Sequence, residues 1–360
     1  MPGNSSERRV LTVTQSPTLS TNPLRRLWHW LPETVTRPVR VLAWLSLILQ
    51  IGLIGTGGAV RLTASGLGCP TWPNCTASSF VPTPELGIHG IIEFTNRMLT
   101  IVLSIVVILV FLVILRMRKQ RRDLFVLTLL QGLSIPFQAV LGGISVLTGL
   151  NPYVVGSHFL VSIVLVVLTT NLVYRAYHGR RAADRLTPRW FVGGTIITCV
   201  FVGITVIFGV LTTGAGPHAG DNSNAKALAP RNGLNPVALQ DIHSIPAYIT
   251  FGLTLALVLA IYILASATHR RDLLRRVRFF SAALLAVELV QILVGITQAK
   301  EGLPIALVNI HLVLAAILVA AITALLLSQR GINLAGGDEF EASTGEHDRR
   351  IASGSSGAGA

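Results

Sequence analysis

Eight apolar runs, each long enough to cross a bilayer, decide what this 360-residue chain can fold into. A helix needs about 20 apolar residues to span the hydrocarbon core. Runs of that kind fall at 39–60, 89–115, 124–147, 153–174, 190–213, 239–264, 279–297 and 304–327. Backbone N–H and C=O groups facing lipid have no water to bond, so each run is expected to be helical. Charged residues make up only 12% of the chain. A soluble domain carries roughly 25%, so too little polar surface is left to meet water. The expected class is an all-α polytopic membrane protein with eight transmembrane helices.

The formal net charge of +13 would suit a nucleic-acid partner, but the basic residues lie between the runs rather than in one patch. They are concentrated in the N-terminal tail, 116–122, 175–189, 270–278 and the C-terminal tail. The alternate connections, 61–87, 149–152, 214–237 and 298–303, hold only Arg61, Lys226, Arg231 and Lys300. The positive-inside rule then places both termini in the cytoplasm, with the plasma membrane as the expected location and no nucleic-acid partner. Residues 1–38 read as a disordered cytoplasmic tail without the apolar core of a cleavable signal peptide. Their Arg/Ser/Thr-rich, acid-poor character also suits an organellar transit peptide. Residues 329–360 read as a second disordered tail.

The chain contains an internal repeat. Gln138-Ala-Val-Leu-Gly142 is followed by His158, and Gln291-Ile-Leu-Val-Gly295 by His311, with equal spacing in both. The ends of runs one and five are also alike, Val60-Arg-Leu-Thr-Ala-Ser-Gly66 against Val210-Leu-Thr-Thr-Gly-Ala-Gly216. A repeat with an even number of helices keeps both halves in one orientation. The expected organisation is an N-terminal four-helix bundle (39–175), a cytoplasmic linker (176–189) and a C-terminal four-helix bundle (190–328).

His89, His158, His243 and His311 lie in or at the edge of even-numbered runs, all towards the outer face. An ionisable side chain is costly there and reads as functional by default, although a neighbouring helix can also satisfy a neutral imidazole. Two imidazoles at one depth make an axial pair for haem iron. Zinc is the weaker choice, because a closed zinc site wants four tight ligands. His29, His178, His269 and His347 lie in cytoplasmic segments and read as solvated. His218, in Gly214-Ala-Gly-Pro-His-Ala-Gly-Asp221, marks either a turn or a rim for an anionic group. His89, Glu93 and Asn96 share one helix face, with Arg97 beside them. Glu93 is either half of an ion pair with an arginine, fixing its run against a neighbour, or a carboxylate beside substrate, able to move a proton or stabilise a developing cation. Glu288 is a second intramembrane carboxylate, read as structural, and Cys199 a packing residue. Cys69-Pro-Thr-Trp-Pro-Asn-Cys75 sits in the first outer loop, in oxidising territory, and permits a disulfide or a redox-active thiol pair.

Taken together these motifs resemble the bacterial haem A synthase family over most of residues 40–328. The resemblance rests on Gly57-Gly-Ala-Val-Arg-Leu-Thr-Ala-Ser-Gly66, the Cys69–Cys75 loop, Ile92-Glu-Phe-Thr-Asn-Arg97, His158, Thr213–Asp221, His243 and His311. It implies two pseudo-symmetric four-helix bundles and oxidation of the C8 methyl of haem o to a formyl group, giving haem a for cytochrome c oxidase. Glu93 matches the catalytic glutamate, His243 and His311 the ligands of a haem b cofactor, and His158 an axial ligand of the substrate haem. Cys69 and Cys75 match the outer-loop pair, thought to be a disulfide. The implied partners are haem o delivered by haem O synthase and an electron donor, with a homo-oligomer left open. Many members carry a histidine where this chain has Asn96, so either His89 replaces it or His158 holds the substrate iron alone. A cytochrome b-like electron carrier and a transporter are the competing readings.

Overall fold

The computed structural model describes residues 28–218 and 231–333. Each apolar run is a helix, and eight helices are long and apolar enough to cross a membrane. They are α1 (Arg37–Leu62), α2 (Gly87–Leu115), α3 (Arg122–Leu147), α4 (Pro152–His178), α5 (Arg189–Ala215), α6 (Pro236–Ala267), α7 (Arg275–Lys300) and α8 (Ile305–Ser328). The chain is an all-α, multi-pass membrane protein. Local chemistry sets several starts. Asn151 and Asn235 each precede a proline at the first helical position, and each side chain accepts hydrogen bonds from backbone N–H groups of the first turn.

Consecutive helices pack side by side, α4 returns to α1, and α8 returns to α5. Each set of four therefore closes on itself, which puts α2 diagonally across from α4 and α6 across from α8. The sets meet through α1, α4, α5 and α8. Glycine permits the tightest of these approaches: a Cβ built on Gly58 of α1 would lie 2.5 Å from Asn309 Oδ1 of α8, and one on Gly55 would lie 2.9 Å from Val313 Cγ2.

The repeat extends into the backbone of the turns. Gly149 and Leu150, between α3 and α4, both have positive φ (61° and 61°), as do Gly302 (73°) and Leu303 (63°) between α7 and α8. A branched residue rarely adopts this left-handed conformation. In both turns the same hydrogen bond holds it: Leu150 N to Ser145 O and Leu303 N to Gln298 O, each 2.8 Å. These turns deliver α4 and α8 at equivalent heights, and with them His158 and His311.

The end of the assembly where α1 begins is called the base, and the opposite end the rim. Buried apolar side chains concentrate near the base, including Ile114, Leu172, Ile261 and Leu325. Outward faces remain apolar and exposed, as lipid requires: Leu133 is 61% and Leu293 66% exposed. His89, Glu93, His158, His243 and His311 lie nearer the rim.

One departure occurs at the base. Residues 176–189 were expected to be a linker and 329–360 a disordered tail, but β1 (Arg180–Arg185) pairs antiparallel with β2 (Arg330–Asn333). The physical reason is that α4 and α8 are neighbours, so their outgoing backbones emerge together and bond each other. Gln329 is fully buried beneath this sheet, and its amide donates to Thr195 Oγ1 at 2.7 Å. Residues 1–27 and 334–360 of the two expected tails lie outside the described residues.

Replacing Gly58 by Val should force α1 away from α8, at a cost of about 1–3 kcal/mol for overpacking. Thermal unfolding of the detergent-solubilised protein would register it, whereas Gly52→Ala, with open space around its Cβ, should be nearly silent.

Candidate functional site

Two imidazoles meet in the C-terminal half. His243 of α6 and His311 of α8 come from diagonal helices, with ring centroids 6.4 Å apart and planes at 73°. A metal–imidazole nitrogen bond is about 2 Å, and the ring centre lies roughly 1 Å behind that nitrogen. Imidazoles on opposite sides of one ion therefore have centroids roughly 6 Å apart. His243 Nδ1 lies 2.9 Å from Thr205 O. A carbonyl only accepts, so Nδ1 carries the hydrogen and Nε2 keeps its lone pair for a metal. Glycines make room for the rings: Cβ atoms built on Gly209 and Gly295 would each come within 3.1 Å of Cε1 of His243 and His311.

The N-terminal half repeats one side of this arrangement. Gly142 faces the Cε1–Nδ1 edge of His158, as Gly295 faces that of His311. Gln138 Nε2 donates to His158 O at 3.3 Å, and Gln291 Nε2 to His311 O at 3.2 Å. In both histidines Nδ1 is buried without a hydrogen-bond partner among the described residues, as is Oε1 of each glutamine. The other side differs. Asn96 occupies the place that His243 has in the repeat, and its Oδ1 accepts from Thr56 Oγ1 at 2.7 Å, which ties the amide to α1. His89 stands two turns nearer the rim, half-buried, with Nδ1 2.8 Å from Ser65 Oγ. Among the described residues no ring contact joins His89 to His158.

Glu93 sits beneath the first rim loop and is 5% exposed. Its Oε1 accepts from Arg97 Nη2 at 2.5 Å and Nε at 3.2 Å, and its Oε2 from the backbone N–H of Cys69 at 2.7 Å. Cys69 and Cys75 form a disulfide. The Arg97 guanidinium also donates to the carbonyls of Cys69, Thr71, Pro73 and Asn74. One cation thus holds both the carboxylate and the disulfide loop on α2. The loop lies so close that a Cβ on Gly68 would fall 2.2 Å from His89 O. The ion pair expected for Glu93 is present, with Arg97 of its own helix rather than of a neighbour; Glu93 also lies on α2, diagonal to the helix of His158.

Other residues also have definite places. His218 Nε2 bonds Leu303 O at 2.9 Å, while Arg61 of α1 donates to His218 O and Thr213 O; this bridges the two halves at the rim. Asp221 lies outside the described residues. His178, expected to be solvated, instead stacks on Tyr174 at 4.2 Å, because the base brings aromatic α4 side chains together. Among the described residues no cluster of three or more His, Cys, Asp or Glu side chains is placed to hold a bare metal ion. The sequence reading missed the roles of Gln138 and Gln291 and the bonds from Arg97 to the rim loop. The signal for the glutamines was present in the repeat itself.

A family model described as cytochrome oxidase assembly protein matches residues 40–323. Curated relatives include proteins named heme A synthase. That of Bacillus pumilus (strain SAFR-032) is 31% identical over 170 residues, 47% of this chain and 54% of the relative. That of Bacillus cereus (strain 03BB102) is 30% identical over 173 residues, 45% of this chain and 55% of the relative. That of Lysinibacillus sphaericus (strain C3-41) is 34% identical over 145 residues, 38% of this chain and 46% of the relative. The chain spans about half the length of the curated relatives it matches.

Breaking a buried ion pair by removing one partner costs about 3–5 kcal/mol. Arg97→Ala should fall near the low end, since the Arg97 side chain is 20% exposed. A double-mutant cycle with Glu93→Gln, read by thermal unfolding, should return a coupling well above that of an exposed pair.

Proposed function

The chain belongs to the cytochrome oxidase assembly protein family, and on that premise we propose that it is a haem A synthase. It oxidises the C8 methyl of haem o to a formyl group in two successive hydroxylations, giving haem a for cytochrome c oxidase. The observation that carries this reading is the His243–His311 pair, whose 6.4 Å centroid spacing would let both imidazole nitrogens hold one haem iron. These residues would hold haem b, which supplies one-electron redox chemistry when bound. The porphyrin provides the remaining iron ligands, which accords with a pair of histidines rather than a cluster.

In the N-terminal half we assign His158 as the axial ligand of substrate haem o. His89 is the second donor: Ser65 engages its Nδ1, which leaves Nε2 open. Glu93 is the catalytic carboxylate. Arg97 and the Cys69 N–H each bond one of its oxygens and fix its direction. A fixed negative charge near the reacting methyl stabilises positive charge developing there and can accept a proton from it. The low-dielectric surroundings strengthen that effect. The protein would sit in the plasma membrane with both termini cytoplasmic and the rim outside. It would take haem o from haem O synthase and electrons from a separate donor; a homo-oligomer is compatible with the fold.

One observation favours a second reading, a non-enzymatic cytochrome b-type carrier: among the described residues, His243 and His311 are the only histidines in ring contact with each other. Glu93→Gln separates the two. An enzyme should keep its haem b spectrum but cause the host strain to accumulate haem o, whereas a carrier should leave haem a production normal. His243→Ala and His311→Ala should each abolish the bis-histidine spectrum of the reduced, purified protein. His89→Ala should convert bound haem o from six- to five-coordinate; an unchanged spectrum would show that His158 holds the iron alone.

A further inference from the structure

Glu288 is the intramembrane carboxylate that the proposed chemistry leaves unused. It lies near the middle of α7, roughly 20 Å from either end by helical rise, and is 4% exposed. Thr254 Oγ1 of α6 donates to its Oε1 at 2.8 Å. Its Oε2 is buried with no hydrogen-bond partner among the described residues. A carboxylate held by one hydroxyl in hydrocarbon is costly, and such a group marks function by default.

Its placement says which function. Glu288 is one turn from Gln291, whose amide bonds the carbonyl of His311. Thr254 lies eleven residues beyond His243, three turns along the same face of α6. Thr254 therefore lies about 16 Å below His243 by helical rise, and Glu288 lies one turn below the glutamine that bonds the helix of His311. At the repeat-equivalent positions the N-terminal half has Ile135 and Val107. The acid and its hydroxyl occur only in the half that brings two imidazoles together.

We propose that Glu288 is a proton-binding site coupled to the redox state of the haem between His243 and His311, an inference that rests on the function proposed above. When one electron enters that site from a one-electron donor, one proton from water bonds Glu288 Oε2, and the carboxylate becomes a neutral acid. On reoxidation the O–H bond breaks and the proton returns to water. The net charge added to the membrane interior is then zero, which is the reason for an acid at this depth. The neighbours do not supply this function. α6 carries Asp241, His243, Tyr248 and Tyr262, α8 carries His311, and α7 itself carries Arg275, Arg276, Arg278 and Lys300. None of them forms an ion pair or hydrogen bond with Glu288 among the described residues.

The test is a reductive titration of the full-length, haem-loaded protein, followed by its visible spectrum at acid, neutral and mildly alkaline pH. The wild-type haem should become harder to reduce as pH rises, approaching a tenfold change in the reduction equilibrium per pH unit. Glu288→Gln should remove most of that dependence while keeping the bis-histidine spectrum. Thr254→Val, which deletes a donor to the carboxylate, should move the pH-dependent range upward. Should Glu288→Gln not fold, the redox-difference infrared spectra of wild type and Thr254→Val decide the matter. A carboxylic-acid band gained on reduction and displaced by Thr254→Val supports the proposal, and its absence overturns it. Equal pH dependence in wild type and Glu288→Gln overturns the proposal alone, whereas a colourless protein overturns the proposed function and this inference with it.

Discussion

A polar side chain carried into hydrocarbon must find its partners within the protein, and the arrangement of this molecule follows from that requirement. His158, His243 and His311 each sit where another helix presents something to them. Thr205 offers His243 a carbonyl, and Gly142, Gly209 and Gly295 offer the rings space. The repeated glutamines bond the backbone of the helices that bear His158 and His311. Among the described residues, Nδ1 of His158 and His311 and Oε1 of both glutamines stay unmet in matched sets, as a shared structural plan would produce.

The halves share this plan but differ in the chemistry built on it. The C-terminal half has His243, Thr254 and Glu288 where the N-terminal half has Asn96, Val107 and Ile135. The N-terminal half has a disulfide loop, a buried carboxylate and an arginine that binds both. The first set suits a group held permanently between two nitrogens. The second leaves one side of His158 without an imidazole in contact and places a charged carboxylate under a crosslinked loop, which suits a group that enters, reacts and leaves. On the function proposed above, unequal substitution of one repeated plan would separate electron handling from substrate chemistry.

Arg97 shows how rigidity is obtained at the rim, where the apolar core is thin. A single planar guanidinium donates to five residues across the loop and the carboxylate, with a geometry an ammonium could not reproduce. The disulfide shortens the loop that these bonds hold, and Gly68 lets its backbone settle directly on α2.

Much of this was legible from residue order. Apolar runs of spanning length leave no alternative to helices in lipid, and the equal spacing of Gln138–His158 and Gln291–His311 exposed the duplication. The cost of ionisable groups in hydrocarbon singled out the histidines and Glu93. Order along the chain is silent on which helices stand diagonally, because that depends on how eight similar apolar surfaces sort among one another. Only packing showed that His243 and His311 meet, that Asn96 turns to Thr56 and His89 to Ser65, and that the two outgoing strands pair at the base. Hydropathy is a property of each segment alone, whereas a hydrogen bond between distant residues exists only once tertiary contact has brought donor and acceptor within reach.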